Sequence, residues 1–132
     1  MVYLRITLGI LLGLLSGGMV NGSFIHLGSK VFPYPSNFSM DLFYTLPLKY
    51  YLFPFLAHGL GTLSGCLVYL RIAAKQAIWP VYVIGTSFFG GGVLVGTMIN
   101  APLWFDCVDL ILAYFPMAFL ALKMSKPLKS KL

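Results

Sequence analysis

Carboxylates are almost absent from this chain: three occur in 132 residues, Asp41, Asp106 and Asp109. Charged residues of both signs make up only 9%, against 59% hydrophobic, where a soluble domain carries roughly 25% charged residues. So little polar surface cannot cover a domain of this length in water, and composition alone points to a membrane protein. Cysteine is scarce too. Cys66 and Cys107 lie inside apolar runs with no CxxC spacing, which argues against a disulfide framework or a thiolate metal site. Both are expected to be buried, reduced and small-hydrophobe-like. Segments of alternating hydrophobicity are missing, which excludes a transmembrane β-barrel. No phosphate loop, nucleophile–base pairing or haem-attachment motif occurs, so no catalytic residues and no cofactor are assigned.

Long apolar runs are abundant. Four can be drawn, at about 2–20, 50–70, 78–99 and 102–122. Each is near the roughly 20 residues that a helix needs to cross about 30 Å of hydrocarbon. Unpaired backbone is not tolerated in lipid, so the runs are expected to be helices. The fold class is therefore all-α: an integral membrane four-helix bundle forming a single domain over 1–132. Pro54, Pro80 and Pro102 fall near the starts of runs two, three and four, where first-turn N–H groups have no helical partner anyway. Pro116 sits inside run four and is expected to free the Leu112 carbonyl and kink the helix.

The net charge of +6 does not read as a nucleic-acid footprint, because the basic residues flank the apolar runs. If all four runs cross, Arg5, Arg71, Lys75, Lys123, Lys126, Lys129 and Lys131 share one side, and Lys30 and Lys49 the other. Seven against two places both termini in the cytoplasm, with a basic tail over 123–132. The first run has "MVYLR" before it, like the n-region of a signal peptide, and is expected to be retained as a helix. The connection 21–49 is long and carries Phe24, Phe32, Tyr34, Phe38, Phe43 and Tyr44. It is expected to be an ordered cap on the outer membrane interface, where aromatic rings sit favourably.

Small residues recur at helical spacing. On run two, His58, Gly61, Thr62, Gly65, Cys66 and Tyr69 share a face, with Leu60, Leu63, Leu67 and Leu70 turned the other way, towards lipid or a less intimate neighbour. Run one has Gly9, Gly13 and Gly17, and run three has Gly85, Gly92 and Gly96. Gly61, Gly65, Gly92 and Gly96 are expected to pack helices closely.

The ionisable residues inside the runs are few enough to place by depth. At 1.5 Å per residue, His58 lies about 12 Å, Asp109 about 10 Å and Asp106 about 6 Å below the outer end. His58 and Asp109 therefore match, and each relieves the cost of the other in hydrocarbon. His58, Asp106 and Asp109 form the candidate intramembrane polar site, read either as a structural pair or as a proton or ligand site. His26 from the cap could join them, but one histidine and two aspartates are too few for a metal, and none is assigned.

The stretches "PFLAHGLGTLSG", "PLWFDCVDLILAYFPMAFLALK" and "NGSFIHLG" resemble a group of small bacterial four-helix inner-membrane proteins of unassigned activity. The resemblance implies a multi-pass protein of a bacterial inner membrane and no chemistry. The expected function is that of a non-catalytic component, in contact with lipid, assembling with itself or with larger membrane subunits. A small transporter or channel built on the His58/Asp109 site and open to the outer side is the alternative. An intramembrane enzyme ranks last.

Overall fold

The structure is a computed structural model that describes residues 1–73 and 76–129, with side chains described as far as 125. Lys75 and Lys131, and the side chains of Lys126 and Lys129, which entered the charge count, lie outside the described residues.

Every regular element among the described residues is a helix, with no strand. Helix α1 covers Val2–Val31, α2 Lys49–Ala73, α3 Trp79–Met98, α4 Leu103–Leu112 and α5 Phe115–Lys129. Four stretches are long and apolar enough to cross a membrane: α1, α2, α3, and the α4–α5 unit over Leu103–Ser125.

Helix α1 runs beyond 20 and takes in residues 21–31, which read as part of the connection in the sequence. Its end has a local cause. Phe32 precedes Pro33, and a residue before proline is pushed out of the helical region; Phe32 adopts φ −125° and ψ 80°. Until then nothing forbids helix. Ser23 and Ser29 turn their hydroxyls onto Met19 O and His26 O of the helix itself. The connection proper is therefore 32–48, with one short 3-10 helix over Met40–Thr45.

Helix α2 is the centre of the bundle and packs against α1, α3, α4 and α5. The α1–α2 contact is antiparallel and glycine-lined. A methyl built on Gly17 would lie 2.6 Å from Gly61 O, and one on Gly61 would lie 2.9 Å from Gly17 O. Such distances bring backbone against backbone, the device by which membrane helices gain van der Waals contact without a solvent-driven force. Gly9 receives the Tyr69 ring in the same way, at 2.8 Å.

The central position of α2 corrects the leucine face. Leu70 is buried and belongs to the core with Cys66, Tyr69, Val81, Ile84, Ala118 and Ala121, and Leu63 and Leu67 pack onto it half-buried. A helix with neighbours all round has no broad lipid face. Cys107 departs from expectation in the opposite sense. It is exposed, because α4 turns Cys107, Val108, Ile111 and Leu112 outward to its apolar surroundings. Cys66 is buried, with its Sγ 3.7 Å from Val81 O.

The fourth membrane-capable stretch is broken. α4 ends at Leu112, Ala113 and Tyr114 lie between the helices, and Pro116 sits in the first turn of α5. This is the interruption that a proline without an N–H imposes on a spanning helix. Pro54, by contrast, stays inside α2 within its first two turns.

At one end of the bundle the connection folds over the helix ends through aromatic contacts. Phe43, Tyr51 and Phe105 form a small buried cluster, with Tyr34 and Phe38 packed against it. Tyr51 donates its hydroxyl to Phe43 O at 2.7 Å, and Asn100 Nδ2 donates to Asp41 O at 3.1 Å. Tyr50 donates to Pro33 O at 3.1 Å, and its ring stacks on Tyr34 at 5.7 Å. Burial and the neighbouring Tyr50 phenol raise the Tyr34 phenol above its ordinary value. Lys49 Nζ lies 5.4 Å and 5.3 Å from the ring centroids of Phe32 and Tyr50, and Lys123 Nζ 5.2 Å from Phe119 at the opposite end. Each end of the bundle thus has an ammonium over an aromatic face.

Candidate functional site

The polar residues of the spans converge between α2 and α4. His58 Nδ1 lies 2.8 Å from Asp109 Oδ2. The side chains are 14% and 6% exposed, so the pair is largely enclosed. An ionised carboxylate can only accept, which puts the hydrogen on Nδ1 when Asp109 carries charge. Among the described residues this is the only contact at ion-pair distance.

A third residue completes the site. The Tyr114 hydroxyl donates to the same Asp109 Oδ2 at 3.1 Å, and its ring stacks on the His58 imidazole with centroids 5.8 Å apart. Sequence reasoning did not single out Tyr114. Five residues along an unbroken helix is about 140° around the axis, which would turn Tyr114 away from Asp109. The break before Pro116 brings it back, and Pro116 was the available signal.

Neighbouring groups hold the arrangement. Thr62 is fully buried and donates to His58 O at 2.9 Å, inside α2. Gly92 of α3 stands against the Tyr114 hydroxyl so closely that a methyl there would overlap it. Phe89 meets the same ring edge-on at 5.8 Å. Gly92 thus makes room for a side chain, where Gly61 and Gly65 of α2 make room for the backbone of α1. Gly96 is looser: a methyl there would lie 3.7 Å from Asp106 Oδ1, an ordinary contact.

Asp106 is near the pair and outside it. It lies one turn before Asp109 on α4 and is half-buried. His26 is exposed on α1 and does not join. Among the described residues, no three His, Cys, Asp or Glu side chains gather as a metal site.

The electrostatics are asymmetric. Asp109 Oδ2 accepts from two donors, while Oδ1 is buried and accepts from none among the described residues. The aromatic cluster of Phe43, Tyr51 and Phe105 lies two turns before His58 on α2 and one turn before Asp109 on α4. It closes that end of the bundle over the polar residues.

No protein-family model, curated protein or solved structure matches this chain.

Proposed function

We propose that this chain is a small non-catalytic component of a bacterial inner membrane that assembles with copies of itself or with larger membrane subunits. Both termini face the cytoplasm in this reading, and the aromatic cap lies outside. The observation that carries it is a second glycine face on α1. Gly9, Gly13 and Gly17 are consumed by the contact with α2, whereas Gly18 and Gly22 point outward with nothing within 4 Å of a methyl built on either. Their four-residue spacing, beside the exposed Leu11, Leu15 and Ile25, leaves a flat strip on which another helix can approach closely in lipid. The His58–Asp109 pair supports the same reading, since the two side chains meet at 2.8 Å and are only 14% and 6% exposed. The basic residues flank the apolar runs in the sequence, which supports lipid and not nucleic acid as the surroundings of this chain.

The test is the mass of the particle purified in mild detergent. More than one chain, or co-purified subunits in fixed ratio, is expected, with dissociation to single folded chains on Gly18→Leu or Gly22→Leu. A single chain in lipid nanodiscs and in every mild detergent would overturn the proposal.

A further inference from the structure

The exposed glycine strip does not explain the polar site, and the site has one unused valence. Asp109 is 4% exposed, and among the described residues only one of its two carboxylate oxygens is hydrogen-bonded. Burying a carboxylate in apolar surroundings is costly, and the cost falls when the charge is paired or removed. Here His58 and Tyr114 serve Oδ2 alone.

We propose that Asp109 is a site that binds and releases one proton at Oδ1, with His58 and Tyr114 fixing Oδ2 and Asp106 delivering the proton. Protonation forms one O–H bond at Oδ1 and turns the carboxylate into a neutral acid. Oδ2 becomes its carbonyl oxygen and goes on accepting from Nδ1 and from the tyrosine hydroxyl, so neither hydrogen bond has to break. Release reverses the step and returns the proton to Asp106. Asp106 suits this part because it is half-buried one turn nearer the capped end, and because Gly96 opposite it leaves α3 without a side chain there.

The groups facing Asp109 define its electrostatics. His58 comes from α2, Asp106 from α4, and Tyr114 from the break before α5. The titratable side chains of α1 and α3 are Tyr3, Arg5, His26, Lys30 and Tyr82, and all are exposed. Tyr51, from the cap cluster, directs its hydroxyl to Phe43 O. The site is thus a local exchange among two aspartates, one histidine and one phenol. It holds for the single chain as well as for an assembly.

The sequence makes the test clean, because the chain has only three carboxylate side chains and two histidines. Full-length protein in lipid nanodiscs, carrying carbon-13 at the aspartate carboxyl and nitrogen-15 in the histidine rings, is titrated by NMR. Asp41→Asn and Asp106→Asn assign the signals. The Asp109 carbon is expected to pass reversibly through the full shift between carboxylate and acid, with the His58 ring nitrogens responding in the same step. In Asp106→Asn the exchange of this proton, read from the Asp109 linewidth through the transition, is expected to slow, while Asp41→Asn leaves it unchanged. An Asp109 signal fixed in one form over the whole pH range of the folded protein would overturn the site. Exchange as fast in Asp106→Asn as in the wild type would overturn the delivery role. The wild-type titration decides the first question even if a variant fails to fold.

Discussion

Gly13 and Gly65 face one another across the α1–α2 contact, so that a methyl on either would lie 2.7 Å from the carbonyl oxygen of the other. Neither backbone can retreat without opening the contact along its length, because Gly17 and Gly61 repeat the relationship one turn away. Gly65→Leu and Gly61→Leu are therefore expected to destabilise the bundle more than Leu63→Ala. Overpacking of this kind costs about 1–3 kcal/mol even for modest insertions, whereas Leu63 is only half-buried against the core. Thermal unfolding in detergent measures the difference. Equal losses would show that the glycines are not at a tight contact.

The same measurement separates the two faces of α1. Gly18→Ala is expected to leave the unfolding temperature of the isolated chain unchanged, because nothing lies within 4 Å of the new methyl. Gly17→Ala, one residue earlier, meets the Phe88 ring and Gly61 O at 2.6 Å, and is expected to lower it. Similar behaviour of the two variants would contradict the separation of faces.

Orientation has its own experiment. A cysteine added to the tail is expected to resist labelling from outside intact cells, and one placed at exposed Ser36 in the connection to react. The basis is the seven-to-two division of basic residues. Native Cys107 is exposed on the surface of α4, so the assay needs a Cys107→Ser background. Efficient labelling of the tail would reverse the topology.

The number of membrane-capable helical stretches was legible because it depends on run length alone. About 20 apolar residues must be helical in hydrocarbon, whatever their neighbours. The approach of His58 to Asp109 was legible for a related reason: depth follows from residue count, and two isolated polar groups at one depth satisfy each other. The rest depends on contacts that no count supplies. Residues Asn21, Gly22 and Ser23 look like a turn in the sequence, yet α1 continues through them until Pro33 intervenes. Leu70 was assigned to the wrong face because nothing in α2 says that it has neighbours on every side. Tyr114 depends on a break in the helix, so periodicity directs it away from the residue it binds.

The His58–Asp109 contact is open to a double-mutant cycle. Asp109→Ala is expected to lower stability, and adding His58→Ala is expected to cost less than the sum of the two single losses. Couplings of hydrogen-bonded side chains within membrane bundles are modest, about 1 kcal/mol, so the cycle needs reversible unfolding in detergent. Strict additivity would mean that the 2.8 Å contact contributes nothing to the fold.

Gly92 and Tyr114 give a cycle whose sign follows from geometry. The Tyr114 hydroxyl occupies the space that a methyl on Gly92 would need. The ring is confined between Phe89, edge-on at 5.8 Å, and His58, stacked at 5.8 Å. Gly92→Ala must therefore displace the hydroxyl from Asp109 or part α3 from the break, and a loss of about 1–3 kcal/mol is expected. Tyr114→Phe removes the hydroxyl and its hydrogen bond, for about 0.5–1.5 kcal/mol, but keeps the ring carbon Cζ 2.6 Å from the methyl position, so only part of the overlap is relieved. In the Tyr114→Phe background the Gly92→Ala change should then cost less than in the wild type, because the hydroxyl overlap and its hydrogen bond are already gone and only the ring contact remains. If the two losses simply add, Gly92 is small for some reason other than the tyrosine, and the contact between α3 and the polar site is not what fixes Tyr114 on Asp109.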